Sequence, residues 1–358
     1  MKHYSMKGKK MNNPFSISFG KKPEQYISRI TQTNEIVEMF SQEVINNQVY
    51  LITGVRGSGK TVLLTNVQKI LSENEDFICI ELNPLRDMLQ SMAAKLYDIP
   101  LLRTHFVKAK LDLSALGIGL SIEGAAPVND IETAIDIMLK IVKKLNKRVL
   151  IAVDEAINSE NIRIFTTAFQ IMIRNEAPVF LLMTGLYENI YELQNNKALT
   201  FMYRAPKIVL EPLNFTAVRA KYASVFNFPL DKAEKMAIMT KGYPFAFQTL
   251  GYLMWENKGS ELQDILNDYD QYLSEYVYSK IWSETSDIDK KVLEAMSTTD
   301  SNSVQKIREK LGMSAEKFSV YRERLLRKGV VSSQGYGNIS LSLPRFAEFV
   351  QNRMAEFR

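Results

Sequence analysis

Two short runs carry the residue types and spacing that phosphate chemistry needs. The first reads Gly54-Val55-Arg56-Gly57-Ser58-Gly59-Lys60-Thr61-Val62 and matches G-x-x-x-x-G-K-[ST] in full. Its glycines let successive backbone N–H groups turn inward towards phosphate oxygens, an approach that side chains would block. A helix opening near Lys60 adds its N-terminal partial positive charge. Lys60 is then expected on the β- and γ-phosphates and the Thr61 hydroxyl on Mg²⁺, which makes ATP and Mg²⁺ the expected ligands.

The second run, RVLIAVDE over residues 148–155, is a buried-strand pattern that ends in two acids. Such a strand delivers Asp154 and Glu155 to the carboxyl edge of a sheet. Asp154 is expected to hold Mg²⁺, and Glu155 to polarise an attacking water as general base. A further strand pattern, PVFLLMT over 178–184, ends in Thr184. If it lies between the other two strands, Thr184 reaches the γ-phosphate or the water.

These residues need a scaffold that brings their strand ends together. From about residue 34 to 212, short apolar runs (VYLIT 49–53, FICIEL 77–82, RVLIAV 148–153, PVFLLMT 178–184, KIVL 207–210) alternate with amphipathic segments. Their near-continuous hydrophobicity predicts parallel strands buried on both faces, hence an α/β P-loop NTPase core with helices on both sides of the sheet. Residues 130–145 have helical spacing, with Asp130 as N-cap. Residues 111–124 alternate small and apolar residues and read as a hairpin or an ordered insertion. Residues 1–33 form a basic lead-in. After Pro212 the strand signals stop, and residues 213–285 read as a helical lid divided at FNFPLD and KGYPF. Residues 286–358 read as three helices, the third N-capped by Ser314, and then two short strands around Gln334-Gly335-Tyr336-Gly337. That is the pattern of a winged helix-turn-helix.

Composition narrows the class. Of 358 residues, 46% are hydrophobic and 24% charged, and no apolar run approaches the roughly 18 residues of a membrane span. No membrane partner is expected. Cys79 is the single cysteine, which excludes an intrachain disulfide and makes a reducing cytoplasm the expected compartment. Only His3 and His105 are present, against a zinc site built on His or Cys. The net charge of +5 is uneven: residues 1–22 hold six lysines and no acid, and residues 286–358 hold 13 Lys+Arg against 9 Asp+Glu. Basic ends around an acidic centre fit a nucleic-acid contact at one or both ends, or a solvated tail.

The P-loop, the strand ending in Asp-Glu, the polar end of the next strand, the helical lid and the winged helix together resemble the AAA+ and STAND ATPases. The closest resemblance is to the bacterial and archaeal origin-recognition-like ATPases, over roughly residues 13–358. It implies an adenine pocket formed by NPFSISFGKKPEQYISR (13–29), with Ile27 and Arg29. In LTFMYRAPKIVLEPLN (199–214) it implies an arginine finger at Arg204, acting between copies of a homo-oligomer. In KGYPFAFQ (241–248) it implies that Gly242 and Pro244 lie near the base or ribose. One departure is that GYPFAFQTLGYLMW lacks the arginine that an AAA+ lid carries at its helix start, which favours a switch over fast turnover.

On the third helix of the winged unit, Lys317, Arg322, Arg324, Arg327 and Lys328 are offered to a DNA backbone, and Ser319 and Tyr321 to a groove. Tyr336 stands at the wing tip. Double-stranded DNA is the expected partner, with protein docking as the alternative use of this module. The functional expectation is a nucleotide-dependent switch that hydrolyses ATP slowly. Its rivals are a DNA-binding regulator or assembly scaffold with structural nucleotide, and a loader or transposition-type ATPase. If Arg204 acts on a neighbouring copy, specific activity rises with protein concentration. Mixing Arg204→Ala with Glu155→Gln then restores hydrolysis; a concentration-independent rate without rescue leaves Arg204 structural.

Overall fold

The computed structural model describes residues 12–18, 23–197 and 199–356. All six lysines of the basic N-terminal segment lie outside these residues. The core runs α1 (Ile30–Ser41), β1 (Val49–Thr53), α2 (Lys60–Ser72), β2 (Phe77–Glu81), α3 (Met88–Asp98), α4 (Pro100–Lys108), α5 (Ile131–Lys144), β3 (Arg148–Val153), α6 (Glu160–Arg174), β4 (Val179–Gly185), α7 (Tyr187–Gln194) and β5 (Lys207–Val209). Five strands form one sheet in the order β2-β3-β4-β1-β5, with every pair parallel.

Alternation along the strands feeds two cores. Leu51, Val149, Ile151, Leu181 and Met183 pack on one face, and Tyr50, Ile52, Leu150, Phe180 and Leu182 on the other. A sheet so covered needs apolar side chains on both faces, which is why its strands read as unbroken apolar runs. β4 sits between β1 and β3, in register Ile52↔Thr184 and Val153↔Met183. The strand ends carrying the P-loop, Thr184 and Asp154 therefore finish on one edge. Residues 111–124 form an ordered insertion rather than a hairpin. Buried Asp112 pairs with Pro127 through an isolated bridge, and its carboxylate accepts N–H bonds from Ser114 and Ile122 at 2.9 Å each.

The second half comprises α8 (Phe215–Phe226), α9 (Leu230–Thr240), α10 (Pro244–Glu256), α11 (Leu266–Leu273), a wide π turn (Ser274–Tyr278), α12 (Ser279–Ser283), α13 (Asp287–Ser297), α14 (Val304–Lys310), α15 (Ala315–Arg327), β6 (Val331–Ser333), β7 (Ile339–Leu341) and α16 (Phe346–Glu356). β6 and β7 make the expected antiparallel wing; α16 adds a helix that the sequence reading left out. Lid and winged helix share a single buried cluster that runs from Tyr222 and Phe247 through Tyr278 and Trp282 to Phe318 and Phe346. Arg345 also pairs with Asp270 (2.8 and 2.6 Å), and Tyr278 Oη donates to Pro344 O (2.5 Å). The division at 285/286 is thus one of secondary structure, not of packing. The N-terminal segment straps onto the lid, where Phe15 stacks on Phe226 and Gln248 bonds to both Ser16 N and Gln25 O.

Arg324 belongs to this internal framework. Its guanidinium meets the Asp289 carboxylate at 2.7 Å and donates to Ser286 Oγ at 3.0 Å, with Asp289 only 1% exposed. Arg324→Ala would leave that carboxylate buried without its partner. It is expected to cost roughly 2–3 kcal/mol in chemical denaturation; a change within 0.5 kcal/mol, about that of an ordinary surface substitution, would show the pair to be dispensable.

Candidate functional site

The loop after β1 turns tightly because Gly57 (φ 75°) and Gly59 (φ 86°) occupy the left-handed region that other residues avoid. A side chain at Gly57 would collide with Tyr243 of the lid. Lys60 opens α2 and folds back over the loop, with Nζ donating to Gly54 O and Val55 O at 3.0 Å each. Burial pushes its pKa down to about 8, a fall opposed by nearby Asp154. The Thr61 hydroxyl donates to Asp154 Oδ2 at 2.7 Å. Thr184 is fully buried at the end of β4; its hydroxyl donates to Asp154 Oδ1 and accepts the Glu155 N–H at 3.3 Å. Glu155 itself has φ 53°, an uncommon conformation for a residue with a side chain, and projects exposed beside the cavity.

These groups border a cavity of about 1220 Å³ that takes in Gly57 to Leu63, Asp154 and Glu155. The strap contributes Ile27 and Arg29. Arg29 Nη2 donates to Glu211 O (2.7 Å) and Ser58 O (3.3 Å), and burial lowers its pKa. From the lid come Leu213, Pro244, Phe245, Phe247, Gln248 and the acidic Glu284, with no basic side chain among them, while Tyr243 Oη donates to Arg56 O at 2.6 Å. Gly242 lies off the cavity wall; its carbonyl accepts Leu213 N–H at 2.7 Å and so ties the lid to the chain that enters it. Arg204 is exposed in a short helical turn before β5, also away from its own cavity.

The residues fit a nucleotide and one hard cation. The cavity combines a buried ammonium, loop N–H groups and an apolar wall, and the Ser58 Oγ is a buried oxygen without a protein partner. Among the described residues no three His, Cys, Asp or Glu side chains cluster to hold a metal. Thr61 and Asp154 alone match Mg²⁺, which takes one or two protein ligands and completes its shell with phosphate and water.

The winged unit corrects part of the DNA expectation. Arg324, Arg327 and Lys328 do not stand on a free surface. Arg324 is bound to Asp289, and the Arg327 guanidinium lies 4.0 Å over the Tyr191 ring of α7 and pairs with Glu323. Lys328 Nζ donates to Glu284 O at 2.7 Å and faces Glu188 at 3.8 Å. Tyr321 carries the Arg324 guanidinium over its ring, and Arg322 is half-buried. The reason is that the C-terminal half of α15 packs on the ATPase core: a Cβ at Gly329 would lie 3.2 Å from Val55 of the P-loop. Lys317, Ser319 and the wing-tip Tyr336 remain exposed. Glu284, which pairs with Arg56 at 3.6 Å, carried no sequence signal. Tyr243 sits inside the quoted KGYPF run, but its contact with the P-loop depends on the lid folding back.

Strand order, P-loop and acidic strand end define a P-loop NTPase core followed by a lid and winged helix. Among solved structures, the chain is similar to the Walker-type ATPase PABY2304 of Pyrococcus abyssi, with 14% identity and a TM-score of 0.65 over 91% of this chain and 96% of that one. It is also similar to the ORC2 protein of Aeropyrum pernix in its ADPNP–ADP complexes, with 13% identity and a TM-score of 0.59 over 95% and 98%. The chain thus has the fold of the origin-recognition-like AAA+ P-loop ATPases. Residues 275–350 match a family described as a domain of unknown function, DUF8462. No curated protein matches the sequence. Among the described residues, no helix is long and apolar enough to cross a membrane.

Lys60 gives a signed prediction. With its pKa near 8 in the folded chain against 10.5 ordinarily, the folded state binds fewer protons than the unfolded state between those values. The cost of burying the ammonium is therefore present in full below about pH 8 and is relieved as pH rises. Lys60→Met is expected to stabilise the ligand-free protein at pH 7 by about 1–3 kcal/mol, with the gap closing towards pH 10, while ATP binding is lost. Denaturation at the two pH values with calorimetry checks this; destabilisation at pH 7 would contradict it.

Proposed function

We propose that the chain is an ATP-binding switch that hydrolyses ATP slowly with Mg²⁺ and uses nucleotide state to set the position of its winged helix, a DNA-contacting module. The observation that carries this reading is the seating of α15 on the nucleotide loop. Val55 packs against the lid–wing core, a Cβ at Gly329 would lie 3.2 Å from it, and the neighbouring Arg56 is paired to Glu284, which marks the entry to the winged unit. Lys60 and the loop N–H groups would bind the phosphates, Thr61 and Asp154 would hold Mg²⁺, and Thr184 would fix the Asp154 carboxylate. Glu155 would orient and deprotonate water. Ile27, Arg29 and Pro244 would enclose the base. Slow turnover is supported by a lid that presents no basic side chain to the cavity.

DNA contact is supported by exposure of the N-terminal half of α15, the part of such a helix that meets base edges. Lys317, Ser319 and Tyr336 are the residues proposed for it, and Arg204 is proposed for contact between copies. Glu155→Gln should keep ATP bound while hydrolysis falls roughly 10²–10⁴-fold; wild-type turnover would place the base elsewhere. In fluorescence anisotropy with a labelled duplex at several salt concentrations, Lys317→Ala should flatten the log K against log salt slope by about one unit. Arg327→Ala, on a residue turned inward, should leave the slope unchanged. Equal effects of the two would mean that α15 leaves the core before DNA binds.

A further inference from the structure

The nucleotide cavity has a wall that neither the P-loop nor the lid builds. β2 is the outer neighbour of β3, and its pairing continues past the strand end, with Leu82 N–H donating to Ala152 O at 2.9 Å. The register Glu81↔Ala152 therefore sets Asn83 level with Asp154. With strands about 4.8 Å apart, the end of β2 stands about 14 Å from that of β1, on the far side of Asp154 and Glu155. The chain that follows it lines the cavity through Asn83, Leu85, Arg86 and, on α3, Ser91 and Lys95.

Arg86 is mounted on a fixed turn. Asn83 Oδ1 accepts Leu85 N–H at 2.8 Å and Asn83 O accepts Arg86 N–H at 3.2 Å, while the next residue, Asp87, caps α3 by accepting Gln90 N–H at 2.9 Å. The other arginines on the cavity are already engaged: Arg29 with Glu211 O and Ser58 O, and Arg56 with Glu284. Among the described residues the exposed Arg86 side chain makes no hydrogen bond or ion pair, which leaves its guanidinium available to a ligand in the cavity. The cavity also exceeds the roughly 300–1,000 Å³ of ordinary ligand pockets, which leaves room for a group beyond the P-loop to meet a bound triphosphate.

We propose that Arg86 contacts the terminal phosphate from this β2 wall and so makes the cavity discriminate triphosphate from diphosphate. This rests on the nucleotide-binding reading above. A guanidinium on a rigid turn matches phosphate oxygens through paired N–H donors, and a contact of this kind is absent from ADP. Calorimetry of the full chain with Mg²⁺ and either ADPNP or ADP tests it. Arg86→Ala should weaken ADPNP roughly 10- to 100-fold and leave ADP within about twofold, with Arg86→Lys intermediate; unchanged ADP affinity also reports that the variant is folded. An equal loss for both nucleotides, or no loss for either, overturns the Arg86 assignment and leaves the nucleotide site standing. Failure of the wild-type chain to bind either nucleotide overturns both readings.

Discussion

One carboxylate holds the candidate site together. Asp154 accepts hydrogen bonds from Thr61 at the start of α2 and from Thr184 at the end of β4, while its own strand is β3. Three chain segments distant in sequence are fixed to one another through two oxygens. This is possible only because β4 is inserted between β1 and β3, so that parallel strands end in step on one edge. The crevice outside the carboxyl ends of such a sheet, where strand order reverses, is where open α/β proteins place their ligands. The left-handed conformation of Glu155 follows from the same arrangement, since its N–H is turned back to Asp154 Oδ1 and Thr184 Oγ1.

The site is completed by parts of the chain that belong to other layers. Phe15 fixes the strap to the lid by aromatic packing, and Arg29 then reaches from the strap to the phosphate loop. Tyr243 closes the lid onto Arg56 O, with its hydroxyl kept protonated by deep burial. α15 adds the Lys328 contacts with Glu284 and Glu188. The Glu188 pKa is raised by its own burial, only partly offset by Lys328. Charged groups at this junction are therefore engaged within the fold, and at Glu188 desolvation outweighs the pairing with Lys328.

The core was legible in the sequence to within a residue or so, because buried parallel strands must be continuous apolar runs and the P-loop must carry glycine where φ is positive. Asp130 and Ser314 cap helices as short polar residues do. What could not be read was which face of an amphipathic helix meets another domain. Arg324, Arg327 and Lys328 look in sequence like the basic face of a DNA-reading helix. Their actual partners, Asp289, Tyr191, Glu284 and Glu188, lie dozens of residues away or more, and no local pattern encodes them. For the same reason Glu284 and Arg86 stayed out of view: each acquires its place at the cavity from tertiary geometry alone.

The bond between Arg29 and Glu211 O bears on mechanics. The polypeptide passes between the ATPase core and the lid–wing body at two places, where the strap leads into α1 and where the chain leaves β5 for α8. This bond sets the two crossings side by side, and the shared hydrophobic core makes everything beyond them one stiff arm. That arm also rests on the core beyond the two crossings, through Arg56 with Glu284, Arg327 over the Tyr191 ring and Lys328 facing Glu188, so its seat is a surface and not a point.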